Sequence, residues 1–539
     1  MPLISAENVD DNVFSANMNH NDGLDLCNED LDMISDMCSI SSQSSIYAST
    51  ESTQNFDENS QELINKIDNA NNGDTILIEP GTYKVHGINI TKNISLYGNG
   101  DPRDVIIDGE GLSSIFLIQN KDISVAFDNL TLINGKNDNY GGGICIETGN
   151  VYVENCIFIN NSALDGNNGG AISNYGNDED KGYLFVNNSL FIGNHADCDG
   201  GAVTTCFASS DIYNSVFINN SARRDGGAIC LDIFGYANVQ DCIFMYNHAD
   251  EWAGAYYSWA GNSSIVRCIF INNTADKNGG AFVVSGGLNL TNSIIVNNTA
   301  NKTGGSFYIQ QPMFEAKTVM QANNNIITNN SSPLGREIFV RWKSTNLLFP
   351  NFNRNDWGNE DPTDSSVVDP NNVSKRIKPT TNAKDLGLFD LLDFSLLDTY
   401  SDVLECYYGS DYKNHFERFS ADLNDNGLES DNKTDSDNPN EKISGSQNDS
   451  NSGNSSNNQL NGSEFNSLNN KSDIAFSGEK SDIYNSAYVN DNSCNKKMVE
   501  LFDDNPTSQK SFDIKYILTL AVVLILCLFL ALRKRDRSS

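Results

Sequence analysis

The chain reads as an all-β protein: a right-handed parallel β-helix (a solenoid), then a disordered acidic stalk and one C-terminal transmembrane helix. Three observations predict this. Two short motifs, Gly-Gly-Ala-Ile and Phe-x-x-Asn, recur down the middle of the chain, as at 226–229 and 244–247. The first starts at Gly141, Gly169, Gly200, Gly226, Ala253, Gly279 and Gly304, spaced 25 to 31 residues apart. The text between motifs is short β-type runs broken by Gly, Asn, Asp and Ser. Near the end, 516–532 is an uninterrupted apolar run.

Self-similarity at such a period is the mark of a repeat architecture. Val151-Tyr152-Val153 precedes Cys156-Ile157-Phe158-Ile159, and Ile265-Val266 precedes Ile269-Phe270-Ile271. No window carries a helical stripe long enough for a helix pair. One copy is therefore one coil, with two or three short strands, stacked on its neighbours at the parallel spacing of about 4.8 Å. A lone coil cannot bury its apolar face, so several are required. In this reading the paired Gly supplies a positive φ at a corner. The following Ala points into a narrow core, and Phe158, Phe191, Phe217, Phe244 and Phe270 stack as a ladder. The Asn that ends Phe-x-x-Asn tolerates a left-handed turn, and its amide can bond the Asn of the next coil.

The paired motifs resemble the repeat of chlamydial polymorphic membrane proteins. The whole arrangement resembles the adhesin-like proteins of methanogenic archaea, which carry right-handed parallel β-helices of the pectin-lyase-like class. The resemblance extends over about residues 60–360. It takes in Asp74-Thr75-Ile76-Leu77-Ile78-Glu79-Pro80-Gly81, similar to how such helices begin, and Asp356-Trp357-Gly358-Asn359, similar to the segment that often closes them. It implies a cell-surface protein of archaeal type and leaves the activity open, because a fold does not fix one.

Residues 1–59 are expected to be a disordered N-terminal segment. The text from Met1 to Asn8 is similar to the last residues of a signal peptide, so the true start is expected upstream. Within 61–68, Leu63, Ile64 and Ile67 share one face of a short helix that can cap the first coil. Residues 60–360 are the β-helix, with two or three irregular coils over 74–135. Residues 361–420 form a C-terminal cap or a small module. An Asn/Ser/Asp-rich acidic linker occupies 421–515 and, as a coil, spans roughly 50 Å. The 516–532 run is long enough, at the short end, to cross a membrane. Arg533, Lys534 and Arg535 follow it, which places the 533–539 tail in the cytoplasm and the solenoid outside. The sequons at Asn89, Asn129, Asn160, Asn187, Asn219, Asn272, Asn297 and Asn329 are glycosylation candidates.

Charge narrows the partners. Against 35 Lys+Arg stand 71 Asp+Glu, a net charge of -36. A surface this acidic argues against nucleic acid, which needs a basic footprint. No cofactor motif is present. The 12 cysteines include no Cys-x-x-Cys, so neither zinc nor another metal is expected. Cys156, Cys242 and Cys268 share a repeat slot with Ser189, Ser215 and Ser293, the mark of a small inward position. Cys242 and Cys268 fall on neighbouring coils, within reach of one bridge.

Three functions follow. The leading one is a membrane-anchored, adhesin-like surface protein that binds cell-surface glycans or proteins of other cells and reaches the lipid bilayer through its C-terminal helix. The second is a surface polysaccharide lyase or hydrolase. For that, Asp197, Asp199, Asp241, Asp250 and Glu251 stand at turns near Arg223 and Arg224, but charged turns are usually solvated corners. The third is a structural envelope component. One coil departs from the repeat: Trp252, Tyr256, Tyr257 and Trp259, bordered by Asp250 and Glu251, with Phe234 and Tyr236 one coil earlier. Clustered aromatics on a solenoid face can stack on sugars, so these six, from Asp250 to Trp259, are the candidate ligand site. The competing reading has the rings filling the core.

Overall fold

A computed structural model describes residues 56–137, 140–177, 181–310, 320–341, 351–357, 367–368 and 395–408. These residues form a parallel β-solenoid. Each regular coil gives two strands to a 20-stranded sheet, one to a 10-stranded sheet and one to a 7-stranded sheet. One coil is Ile229–Leu231, Tyr236–Gln240, Ile243–Met245 and His248–Ala249. The next pairs with it in register as Tyr256–Ser258, Asn262–Val266, Ile269–Ile271 and Thr274–Ala275. The expected two or three strands per coil are thus four. The fourth is two residues long, too short to show an alternating pattern in sequence.

Apolar side chains line the lumen. Phe158, Phe191, Phe217, Phe244 and Phe270 stack with centroids 4.5–4.8 Å apart and planes within 5°. Ala171, Ala202, Ala228, Ala255 and Ala281 sit fully buried in the same core. Cys156, Cys242 and Cys268 also point inward. Cys145, Cys156, Cys198, Cys206, Cys230 and the neighbouring Cys242 and Cys268 are free thiols.

The two glycines of each motif do different jobs. Gly226 has φ +67°, the left-handed corner. A Cβ on Gly227 would lie 2.2 Å from the Gly254 carbonyl oxygen of the next coil, so that position permits close stacking. The motif Asn also divides its expected roles. The left-handed residue is the one before it, at Asn160, Asn219, Tyr246, Asn272 and Asn297. The motif Asn builds a buried ladder instead. Asn220 donates from its backbone N–H and its amide to Asn247 Oδ1, both at 3.0 Å, and Asn247 does the same to Asn273 at 3.0 and 2.9 Å. The ladder runs from Asn161 to Asn330, where Glu337 receives the last amide at 2.7 Å.

The first coil is closed by helix Glu58–Asn69, with Asp57 accepting the Ser60 N–H as its cap. Leu63 and Ile67 pass into the solenoid core. At the other end Trp357 is buried beside Phe352. Two short helices follow, Ser395–Thr399 and Ser401–Tyr408. Leu396, Tyr400, Val403 and Leu404 join the apolar outer face of the 10-stranded sheet with residues such as Ile157, Ile159 and Ile192. Asp402 pairs with Arg103 at 2.7 Å. Among the described residues no helix is long and apolar enough to cross a membrane; the 516–532 run and the 421–515 linker lie outside them.

Candidate functional site

The irregular coil around Trp252 does not present its rings to solvent. Trp252 and Trp259 are 7% exposed, Tyr257 2% and Tyr256 0%. Tyr256 takes the inward slot held by Ile229 before it and Phe282 after it, and its hydroxyl meets Ser263 Oγ at 2.9 Å. Trp252 packs on Tyr257 and on Tyr308, 6.3 and 6.4 Å between centroids. The expected stacking platform is therefore part of the solenoid wall. Of its two carboxylates, Asp250 pairs with His248 and Glu251 with Lys277.

Beneath that coil lies a buried polar network. Arg224 donates from Nε and Nη2 to the two carboxylate oxygens of Asp199, at 2.9 and 2.5 Å. Asp225 sits 3.6 Å away. Burial, with Asp199 nearby, pushes Asp225 well above the carboxylate range and raises Asp232 to about 7. The same burial pushes the Cys206 and Cys230 thiols up. The Asp199 charge holds Arg224 protonated more firmly than usual. A guanidinium clamped by a carboxylate is a poor proton acceptor, so Arg224 as held here is not set up as a general base. Asp241 is likewise taken, receiving Arg267 at 2.6 and 2.7 Å.

The exposed aromatics lie elsewhere. In the second strand row of the 20-stranded sheet, alternate residues face the lumen: Val151 and Val153, Leu184 and Val186, Ile212, then Ala237 and Val239. The residues between them face out. Register places Tyr152 opposite Phe185, Phe185 opposite Asp211, and Asp211 opposite Asn238. Along the flanks Tyr183 leads through Ser209 to Tyr236, and Asn187 pairs with Tyr213. Tyr152, Tyr183, Phe185, Tyr213 and Tyr236 thus share one lateral wall across four neighbouring coils. Tyr152 is 38% and Tyr236 48% exposed, and the other three rings are half-buried.

Ring contacts stitch the patch together: Tyr152 to Tyr183 at 6.0 Å, Tyr152 to Phe185 at 6.2 Å and Phe185 to Tyr213 at 5.8 Å. Tyr183 donates its hydroxyl to Asp211 at 2.8 Å, and Asn238 donates to the Tyr213 hydroxyl at 2.7 Å. Partial burial and the Asp211 charge hold both phenols above their usual range. One coil further the wall turns to Asn262 and Ser264. The arrangement offers apolar ring faces edged by amide and carboxylate groups. Val151-Tyr152-Val153 was legible as a strand, but only the register brings its tyrosine beside Phe185 and Tyr213.

The sequon positions fall in two groups. Asn160, Asn219, Asn272, Asn297 and Asn329 form the left-handed column outside the Asn ladder, half-buried to exposed. Asn89 is exposed. Asn129 uses its amide on the Gly98 carbonyl at 3.1 Å, and Asn187 accepts from Asn214 at 2.9 Å.

This is a parallel β-solenoid in which three stretches match a known repeat model. The Chlamydia polymorphic membrane protein repeat matches residues 155–175, 214–232 and 267–285. A 97-residue stretch is 32% identical to the mouse SHC SH2 domain-binding protein 1, over 18% of this chain and only 14% of that protein. Among solved structures, a mannuronic acid-specific family 6 polysaccharide lyase from human gut microbiota aligns at 14% identity and TM-score 0.32, over 67% of this chain and 97% of that one. A family 6 alginate lyase in complex with a trisaccharide aligns at 11% identity and TM-score 0.29, over 60% and 85%. Superpositions this loose carry no argument about activity.

Proposed function

We propose that the chain is a surface-displayed, adhesin-like solenoid that binds glycans along its lateral wall at Tyr152, Tyr183, Phe185, Tyr213 and Tyr236. The observation that carries this reading is the patch itself: five partly exposed rings on four coils, with Asp211 and Asn238 between them. Sugar rings present C–H faces that stack on aromatics, and hydroxyls that donate to carboxylates and accept from amides. A contiguous exposed aromatic patch on a folded protein marks an interaction site more often than chance surface. The winding is right-handed, the hand parallel crossovers take. The repeat type, the acidic 421–515 linker and the 516–532 run followed by Arg533 support display outside a membrane, with 533–539 inside. The sequon column supports glycosylation there, and the acidic charge disfavours nucleic acid.

The test is a glycan array probed with the full chain, followed by titration of the best ligand. Phe185→Ala and Tyr213→Ala should each weaken binding by roughly 1–3 kcal/mol, the scale of an anchor side chain, with melting little changed. Undiminished glycan binding in both variants refutes the site. Incubation with alginate and pectin distinguishes the lyase alternative, since release of unsaturated ends would mean cleavage rather than retention.

A further inference from the structure

On the 7-stranded sheet, two histidines two coils apart meet different neighbours. Ser162–Ala163, His195–Ala196, Ser221–Ala222, His248–Ala249 and Thr274–Ala275 pair in succession, so His195 faces Ser221 and His248 faces Thr274. Both rings are held alike. His195 Nδ1 lies 2.9 Å from Ser221 Oγ, and His248 Nδ1 lies 2.8 Å from Thr274 Oγ1. Both aim Nε2 at the aspartate two residues on, Asp197 at 3.3 Å and Asp250 at 3.2 Å.

The next coil supplies the difference. Arg223 and Asp276 occupy the same register, each donating its backbone N–H to the alanine after the histidine, Ala196 and Ala249, at 2.9 Å. Beside His195 that position brings a cation, and Arg223 Nη1 sits 3.4 Å from Asp197. Beside His248 it brings a second carboxylate, with Asp276 Oδ2 3.9 Å from Nε2. Asn301 donates to the other Asp276 oxygen at 3.3 Å. The nearby Lys277 is engaged with Glu251 at 2.9 Å. Three donor atoms, one from each of His248, Asp250 and Asp276, lie within 4.8 Å of one another.

We propose that His248, Asp250 and Asp276 form a binding site for one divalent transition-metal ion of the zinc class. In the tautomer that carries its proton on Nδ1, toward Thr274, the Nε2 lone pair and one carboxylate oxygen from each aspartate are three donor atoms that can converge on one cation. At the equivalent point beside His195 stands Arg223, whose charge would repel a metal ion, whereas here Asp276 adds a third donor. One imidazole nitrogen with two carboxylate oxygens suits zinc, manganese or cobalt rather than calcium, which prefers oxygen alone. Zinc–donor distances of about 2.0–2.2 Å require the exposed Asp276 carboxylate to close by roughly an ångström. The Thr274 hydroxyl fixes the ring, the role an outer partner plays for a metal-bound histidine. Three protein ligands leave at least one coordination position for water or a group from a ligand.

Untagged full chain dialysed against zinc and assayed for bound metal per chain tests this. Asp276→Arg copies the arrangement beside His195 and should lose one equivalent of zinc while keeping the wild-type circular dichroism spectrum. Arg223→Asp should gain one. Zinc should raise the melting temperature of the wild type but not of Asp276→Arg. Equal zinc in the wild type and folded Asp276→Arg, or no gain in folded Arg223→Asp, overturns the proposal. Neither readout depends on glycan binding.

Discussion

Truncating one rung of the Asn ladder tests the physical account of how the coils hold together. Asn247 is fully buried. Its Oδ1 accepts the Asn220 backbone N–H and amide, both at 3.0 Å. Its own amide donates to the Phe217 carbonyl at 3.0 Å and to Asn273 Oδ1 at 2.9 Å. Asn247→Ala leaves two buried N–H groups of Asn220 without those acceptors, while Asn273 Oδ1 keeps the backbone donor of residue 247. At about 1–3 kcal/mol per orphaned buried donor, the loss is roughly 2–6 kcal/mol. It is shared between the interfaces on either side of one coil, as nearest-neighbour coupling in a solenoid requires. Asn247→Asp keeps the size and the acceptors, but sets a carboxylate oxygen against the Phe217 carbonyl and Asn273 Oδ1. It should destabilise more than the alanine, because a buried charge facing acceptors adds to the lost bonds. The assay is urea unfolding under reducing conditions, followed by circular dichroism. Asn301→Ala, whose hydrogen bond is exposed, serves as the control and should change stability by no more than about 0.5 kcal/mol. If Asn247→Ala loses less than about 1 kcal/mol with an unchanged denaturant slope, the ladder is not a stabilising element and the reasoning fails.

Three further outcomes are expected. Ala253 holds φ +61° where the other coils place glycine, so Ala253→Gly should raise stability by about 0.5–1 kcal/mol in the same assay as left-handed strain is relieved. Phe191 is stacked on both sides, at 4.8 and 4.7 Å, so Phe191→Ala should cost about 3–5 kcal/mol. Buried Asp232 stays protonated up to about 7 in the fold, whereas the unfolded chain releases that proton near the ordinary value of 3.8. Its contribution to stability is therefore greatest below about pH 4 and falls as pH rises to about 7. Asp232→Asn should then gain on the wild type as pH rises, by up to about 4 kcal/mol at pH 8, and an equal gap at pH 4 and pH 8 would refute the assignment.

The sequence alone determined the solenoid, because a coil touches only its neighbours and its rules repeat at every coil. The Phe ladder, the small Ala slot and the capping helix followed from period and residue type, each as a local requirement met again one coil on. The Asn ladder was legible as a bond, but the left-handed turn falls one residue earlier, at positions such as Asn219 and Tyr246, since the motif marks a corner without fixing which residue bends. The wall proposed to bind glycans was not legible. Repetition-breaking at Trp252 drew attention to the site, yet Tyr256 replaces an inward aliphatic, and Trp252 and Tyr257 cover each other. The exposed rings sit in regular strands, at outward positions that one coil read by itself cannot join. Tyr152, Phe185 and Tyr213 are far apart in sequence, and His248 and Asp276 are on separate coils. Only stacking brings each set together, and only the register decides whether Arg223 or Asp276 stands beside a given histidine.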